Sequence, residues 1–97
     1  MTKRPALHPG IVLLHRYLKP QRISLSALAR ATGIPSRHYG AIVKGRRPIT
    51  QDVAVRLAAY LDVPAIFWMR MQKHYDEWQE YKALLREGGV DIDAPRK

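Results

Sequence analysis

Residues 24–45 read SLSALARATGIPSRHYGAIVKG, and this stretch decides the fold. Ser24 is a helix-capping residue set just before Leu25, Leu28, Ala29 and Thr32, which recur at i, i+3, i+4 and i+7 and so share one helical face. Gly33 follows, the residue type that adopts the left-handed conformation ending a helix. After Ile34-Pro35, Ser36 is expected to cap a second helix that carries Tyr39, Ile42 and Val43 inward and ends at Gly45. Only residues 33–35 separate the two. Two short helices meeting at a tight glycine-containing turn are the geometry of a helix-turn-helix.

Outward from this pair, His8-Pro9 is expected to open a first helix, because proline is tolerated at the first helical position. Val12, Leu13, Tyr17 and Leu18 would face inward, and Lys19-Pro20 would end it. Thr50 is expected to cap a fourth helix with Val53, Ala54, Leu57, Ala58 and Leu61 on one face and Asp52 against its positive end. A fifth runs from Pro64 to about Glu87, where Gly88-Gly89 stop it. No segment sustains alternation of period two, so the expected fold is all-α, five helices in one domain with an extended C-terminal helix. Residues 1–8 are expected to be a basic arm bearing Lys3 and Arg4. Residues 9–87 would form the helix-turn-helix domain, with a dimerisation or partner helix at about 64–87, and residues 88–97 a flexible tail.

The 97 residues hold 17 Lys and Arg against 8 Asp and Glu, a net charge of +9. Residues 1–50 carry ten of the basic residues and no acid, whereas 51–97 set seven against eight. Such asymmetry marks a surface that faces a polyanion, nucleic acid first and an acidic membrane second. The basic residues cluster on a helix-turn-helix and its loop, not along an amphipathic anchor, which favours nucleic acid. The absence of cysteine excludes disulfides, thiolate metal sites and a cysteine nucleophile, and suits a reducing compartment. No apolar run approaches the roughly 18 residues of a membrane span, and residues 1–9 lack the apolar core of a signal peptide. A cytoplasmic location is therefore expected.

With Tyr39, Ile42 and Val43 turned inward, the second helix of the pair offers Ser36, Arg37, Gly40 and Ala41 outward, with His38 at the edge. Arg37 can grip guanine through two hydrogen bonds, and Ala41 can meet a thymine methyl. Gly40 costs about 1 kcal/mol relative to alanine in mid-helix. Either it lets the backbone approach a groove closely or it is a tolerated surface glycine. Phosphate contacts are expected from Lys44, Arg46, Arg47 and Thr50, and from the Ser24 hydroxyl with the amides of Leu25 and Ser26.

On the fifth helix Trp68, Met71, Tyr75, Trp78 and Leu85 form one stripe, interrupted by Lys82. Phe67, Trp68 and Met71 are expected in the core. Tyr75, Trp78, Tyr81 and Leu85 are expected at an interface with a second subunit or another protein. Because one recognition helix reads only a few base pairs, a homodimer on a palindromic site is expected, with half-sites about 34 Å apart. His8, His15, His38 and His74 include no third ligand spaced to complete a metal site, and no cofactor is expected. Asp76, Glu77 and Glu80 are placed on a solvated helix face, and no catalytic motif accompanies them, so no enzymatic activity is expected.

HPG at 8–10, LKP at 18–20, SLSALARATGIP at 24–35, AIVKGRRPIT at 41–50 and RLAAYLDVPAIFWMRMQKHYD at 56–76 together resemble the HigA-type antitoxins of the lambda-repressor/Cro (XRE) helix-turn-helix superfamily. The resemblance spans about residues 8–78, and GRRPIT with the later FW and Q..YD makes it specific. It implies a five-helix bacterial antitoxin that dimerises, represses its own toxin–antitoxin operon and neutralises an mRNA-cleaving toxin of the HigB/RelE type. By position it assigns Ser36, Arg37, His38, Gly40 and Ala41 to base contacts, and Lys44, Arg46, Arg47 and Thr50 to the phosphate-gripping loop. Tyr39 stands where an aliphatic core residue is usual in the family. A repressor without a toxin, or an inhibitor that binds only protein, would carry the same helices; the neighbouring reading frame separates the first from an antitoxin, and the retained positive charge of Arg37, Arg46 and Arg47 argues against the second.

Overall fold

A computed structural model describes residues 5–89. Five helices follow in order, and no strand occurs among the described residues. Helix α1 opens at Pro9–Val12 and continues as a π-helical stretch, Leu13–Leu18. Then come α2 (Leu25–Thr32), α3 (Ser36–Val43), α4 (Gln51–Leu61) and α5 (Ala65–Glu87). Lys3 and Arg4 of the expected arm, and residues 90–97 of the expected tail, lie outside the described residues.

The π winding answers a sequence problem. Val12 and Tyr17, like Leu13 and Leu18, are five apart, a spacing that α winding sends to different faces. Bonds of the i→i+5 type, such as Lys19 N–H to the Leu14 carbonyl at 2.9 Å, bring such positions together. Leu13 and Leu18 are thereby both fully buried, with Val12 and Tyr17 half-buried beside them.

The helix ends follow local chemistry. The Ser24 Oγ accepts the Ala27 N–H at 3.0 Å, and the Thr50 Oγ1 accepts the Val53 N–H at 3.4 Å, so both expected caps are in place. Gly33 ends α2 at φ +78°, where any Cβ would be strained. Ser36 is not a cap: Pro35 occupies that position without a side-chain bond, and Ser36 is the first helical residue. Proline already presets the φ that starts a helix, which makes the serine cap unnecessary. α3 ends at Val43 with Lys44 as its cap, short of the expected Gly45.

Leu13, Leu28, Tyr39, Ile42, Ala54, Leu57 and Trp68 are fully buried and draw all five helices into one core. α1 crosses α3 so closely that Gly10 lies against the Ile42 backbone. α5 packs through its first two turns, where Trp68 and Gln72 are buried; from Lys73 to Glu87 no residue is fully buried. Its 23 residues reach about 34 Å, and the molecule measures 50 × 21 × 20 Å.

His8 joins three segments. Its Nδ1 accepts the Gly10 N–H at 2.9 Å, capping α1; its ring meets Tyr75 of α5 edge-on at 4.9 Å; and it bonds to the Arg47 backbone. At 4% exposure it is dehydrated, and burial holds its pKa below the usual 6.5, with the Arg47 bond and the nearby Asp76 charge opposing that shift. A lowered folded pKa means that the unfolded chain takes up the proton first. The contribution of neutral His8 is therefore complete above about pH 6.5 and declines as pH falls toward the folded value. His8→Asn, whose side-chain oxygen can still cap Gly10, is expected to have a flatter stability profile than the parent between pH 7.5 and 5.5 in urea melts. Parallel profiles would exclude His8 as the source.

Candidate nucleic-acid interface

α3 is held against α2 by a polar relay inside the core. Thr32 Oγ1 spends its proton on the Leu28 carbonyl at 2.8 Å, so in its 2.7 Å contact with Tyr39 the phenol must be the donor. Tyr39 is fully buried, and burial pushes its phenol above the ordinary pKa of 10, with the nearby Arg56 charge opposing. The Arg56 Nη1 then ties the Thr32 carbonyl at 2.6 Å, and its Nε donates to Asp52 at 3.0 Å. This relay gives the phenol of the buried Tyr39 ring a hydrogen-bond partner inside the core.

The buried side of α3 thus holds Tyr39 and Ile42, with Val43 half-buried. Ser36 and Arg37 are exposed, and His38, Gly40 and Ala41 are half-exposed. Ser24 and Ser26 at the start of α2 and Thr50 at the start of α4 are exposed, whereas the Leu25 side chain packs against the core. Both capping hydroxyls accept from amides of their own helices, which leaves their protons available to an acceptor outside. No acidic residue lies on α2, on α3 or in the loop from 44 to 50, where Lys44, Arg46 and Arg47 are exposed.

That loop is anchored at both ends. The Ile49 N–H donates to Gln72 Oε1 of α5 at 2.9 Å, and Gln72 Nε2 donates to Asp76 at 2.9 Å. Near the other end the loop lies against the buried ring of His8, 3.7 Å from a Cβ built on Gly45. Neither anchor was legible as such in the sequence: His8 was expected to open the first helix and was weighed as a metal ligand, and Gln72 entered only as part of the Q..YD motif, neither as a tie to the loop. Among the described residues no group of His, Asp or Glu could hold a metal ion.

Gly40 has open space on its side-chain side, with nothing among the described residues within 4 Å of an added Cβ. Gly40→Ala is therefore expected to raise folding stability by about 0.5–1 kcal/mol through helix propensity. If the backbone approaches a groove at this point, the same methyl lowers operator affinity. Thermal melts beside a binding titration separate the effects, and a stabilised variant with unchanged affinity would make Gly40 an ordinary surface glycine.

The expected protein interface is only partly free. Tyr75 is engaged with His8, while Trp78 lies 5.8 Å from Tyr81 and under the Lys82 ammonium at 5.5 Å. Trp78 also lines a cleft with Leu7, Val12, Phe67 and Met71. Leu85 is half-exposed, and the openly exposed leucine of this end is Leu84 at 58%. Further exposed apolar side chains, Val55, Tyr60 and Ile66, stand on α4 and the start of α5, outside the stripe the sequence suggested.

The helix-turn-helix family (HTH_3) matches residues 14–68, more than half of the chain. Virulence-associated protein I of Dichelobacter nodosus is 43% identical over 75 residues, 77% of this chain and 69% of that protein. Antitoxin HigA-1 of Vibrio cholerae is 34% identical over 77 residues, 79% of this chain and 72% of that protein. Among solved structures, the Pseudomonas aeruginosa antitoxin HigA with the higBA promoter superposes with a TM-score of 0.79 at 35% identity, covering 94% of this chain and 100% of that one.

Proposed function

Because the chain belongs to the helix-turn-helix family, and its relatives include HigA antitoxins, we propose that it is a sequence-specific DNA-binding antitoxin that represses its own toxin–antitoxin operon and neutralises an mRNA-cleaving toxin of the HigB/RelE type. The observation that carries the DNA-binding part is an exposed α3 face adjoining an acid-free basic loop that the core holds in place. In this reading Ser36, Arg37, His38, Gly40 and Ala41 face base edges. Lys44, Arg46, Arg47 and Thr50, with Ser24, Leu25 and Ser26, face phosphates. The protein acts in the cytoplasm, and no helix among the described residues is long and apolar enough to cross a membrane.

The projecting half of α5, where Trp78, Tyr81 and Leu85 are half-exposed, serves as the interface with either the second subunit or the toxin. Apolar groups on a helix that leaves its own core favour burial by a partner. Two subunits then present two copies of α3 to successive major grooves. The protein has no catalytic role in this scheme, and the partner carries the ribonuclease chemistry.

The test is selection of bound duplexes from a random pool, followed by titration of the selected operator. Arg37→Ala is expected to lose about 1–3 kcal/mol on the operator and to relax one base pair, whereas Arg46→Ala weakens all sequences alike and flattens the salt slope by about one unit. Equal losses on operator and random DNA would remove Arg37 from base reading. Co-expression with the product of the adjacent reading frame tests the antitoxin part: a complex that suppresses RNA cleavage is expected, and its absence leaves a repressor without a toxin.

A further inference from the structure

His38 and Arg47 are nine residues apart and meet side by side at the edge of α3. The Arg47 Nη1 lies 2.7 Å from the His38 Nδ1, and both residues line a shallow cleft with Arg37 and Pro35. A guanidinium has only donors, so the imidazole nitrogen facing it must supply a lone pair. The ring proton is therefore on Nε2. Left alone, a neutral imidazole offers either a donor or an acceptor at its outer edge; tied to Arg47 it offers a donor.

We propose that His38 is a specificity-determining base reader fixed as an Nε2–H donor, and that Arg47 is the positioning residue that fixes it. The inference rests on the DNA-binding reading above and deepens it. Arg47 is suited to this task because its own place is fixed: its backbone is bonded to the buried His8, and two residues on the Ile49 amide is held by Gln72. The reader and its support thus come from two segments, a helix and a pinned loop.

The chemistry sets the preference. An Nε2–H donor needs an acceptor on the major-groove edge: guanine N7 or O6, adenine N7 or thymine O4. Cytosine, which presents its N4 amino donor there, is disfavoured. Because Arg37 is the adjacent residue and shares the cleft, the His38 position falls beside the base pair that Arg37 reads, and a neighbouring pair of acceptor-rich bases is expected in each half-site.

Two measurements test this. In the free protein, nitrogen chemical shifts of the imidazole are expected to show the Nε2–H tautomer for His38, turning to a mixture in Arg47→Ala; a dominant Nδ1–H form in the parent would overturn the proposal. On DNA, the parent is expected to prefer an acceptor over cytosine at the His38 base pair by about tenfold, part of what a good bidentate contact achieves. Arg47→Ala is expected to erase most of that ratio, whereas Arg46→Ala, which removes the same charge, weakens binding and leaves the ratio intact. Equal effects of the two variants on the ratio would make Arg47 a phosphate contact only. If the parent binds every duplex alike, the operator-reading function fails; if it selects an operator whose preference at that base pair is indifferent to His38→Ala, the operator reading stands and the proposal for His38 falls.

Discussion

Gly10→Ala is expected to destabilise the fold by about 3 kcal/mol or more, at or beyond the upper end of ordinary overpacking. A Cβ at this position overlaps the Ile42 carbonyl oxygen and comes within 2.6 Å of its carbon. These are backbone atoms of α3, so no side chain can swing aside to make room; α1 and α3 would have to separate. For a domain of this size each kcal/mol is worth about 4–8 °C in melting temperature, so the variant should melt more than about 12 °C lower. Ile42 is one residue beyond Ala41, and the same displacement moves the outer face of α3. Operator affinity should fall even at temperatures where the variant is folded. A melting point within about 4 °C of the parent would mean that the α1–α3 crossing can slide apart at little cost.

Trp68→Ala is expected to cost about 3–5 kcal/mol, the range for emptying a large buried aromatic site. Trp68 is fully buried, with Tyr17 at 5.3 Å and Phe67 at 5.1 Å in edge-to-face contact. Its indole Nε1 has no hydrogen-bond partner among the described residues. Trp68→Phe therefore removes an unpaired donor together with part of the ring and should cost about 1 kcal/mol, much less than the alanine variant. Urea melts of the two variants give the comparison directly. If both lose the same amount, the burial of the indole bicycle, not the filling of the site, dominates.

How much could be read from the chain follows from how local each feature is. Ser24 and Thr50 cap amides within three residues and start helices, and Gly33 ends one through its own backbone, as their types require. The apolar spacing of 25–32 and 53–61 marks the core faces of α2 and α4, because residues three and four apart meet whatever the rest of the chain does. The signal for π winding was also present, in the five-residue spacing of Val12 with Tyr17 and Leu13 with Leu18, but an i+3, i+4 template does not register it. His8, Gln72 and the His38–Arg47 pair were not legible in their roles. Their partners come from other segments: Arg47 and Tyr75 for His8, Ile49 for Gln72. Ser36 misled because its type suits a cap, and the preceding proline had taken that place.

The two anchors at Gln72 and His8 have a mechanical consequence. Both pin the base of α5 to the loop that carries Lys44, Arg46 and Arg47, Gln72 through the Ile49 amide and Tyr75 through the ring of His8. Beyond them the helix runs on for about three turns as a stiff rod. A load applied to Leu84 or Leu85 would therefore turn about a fulcrum at residues 72–75, and the short arm of that lever is the basic loop 44–50 itself.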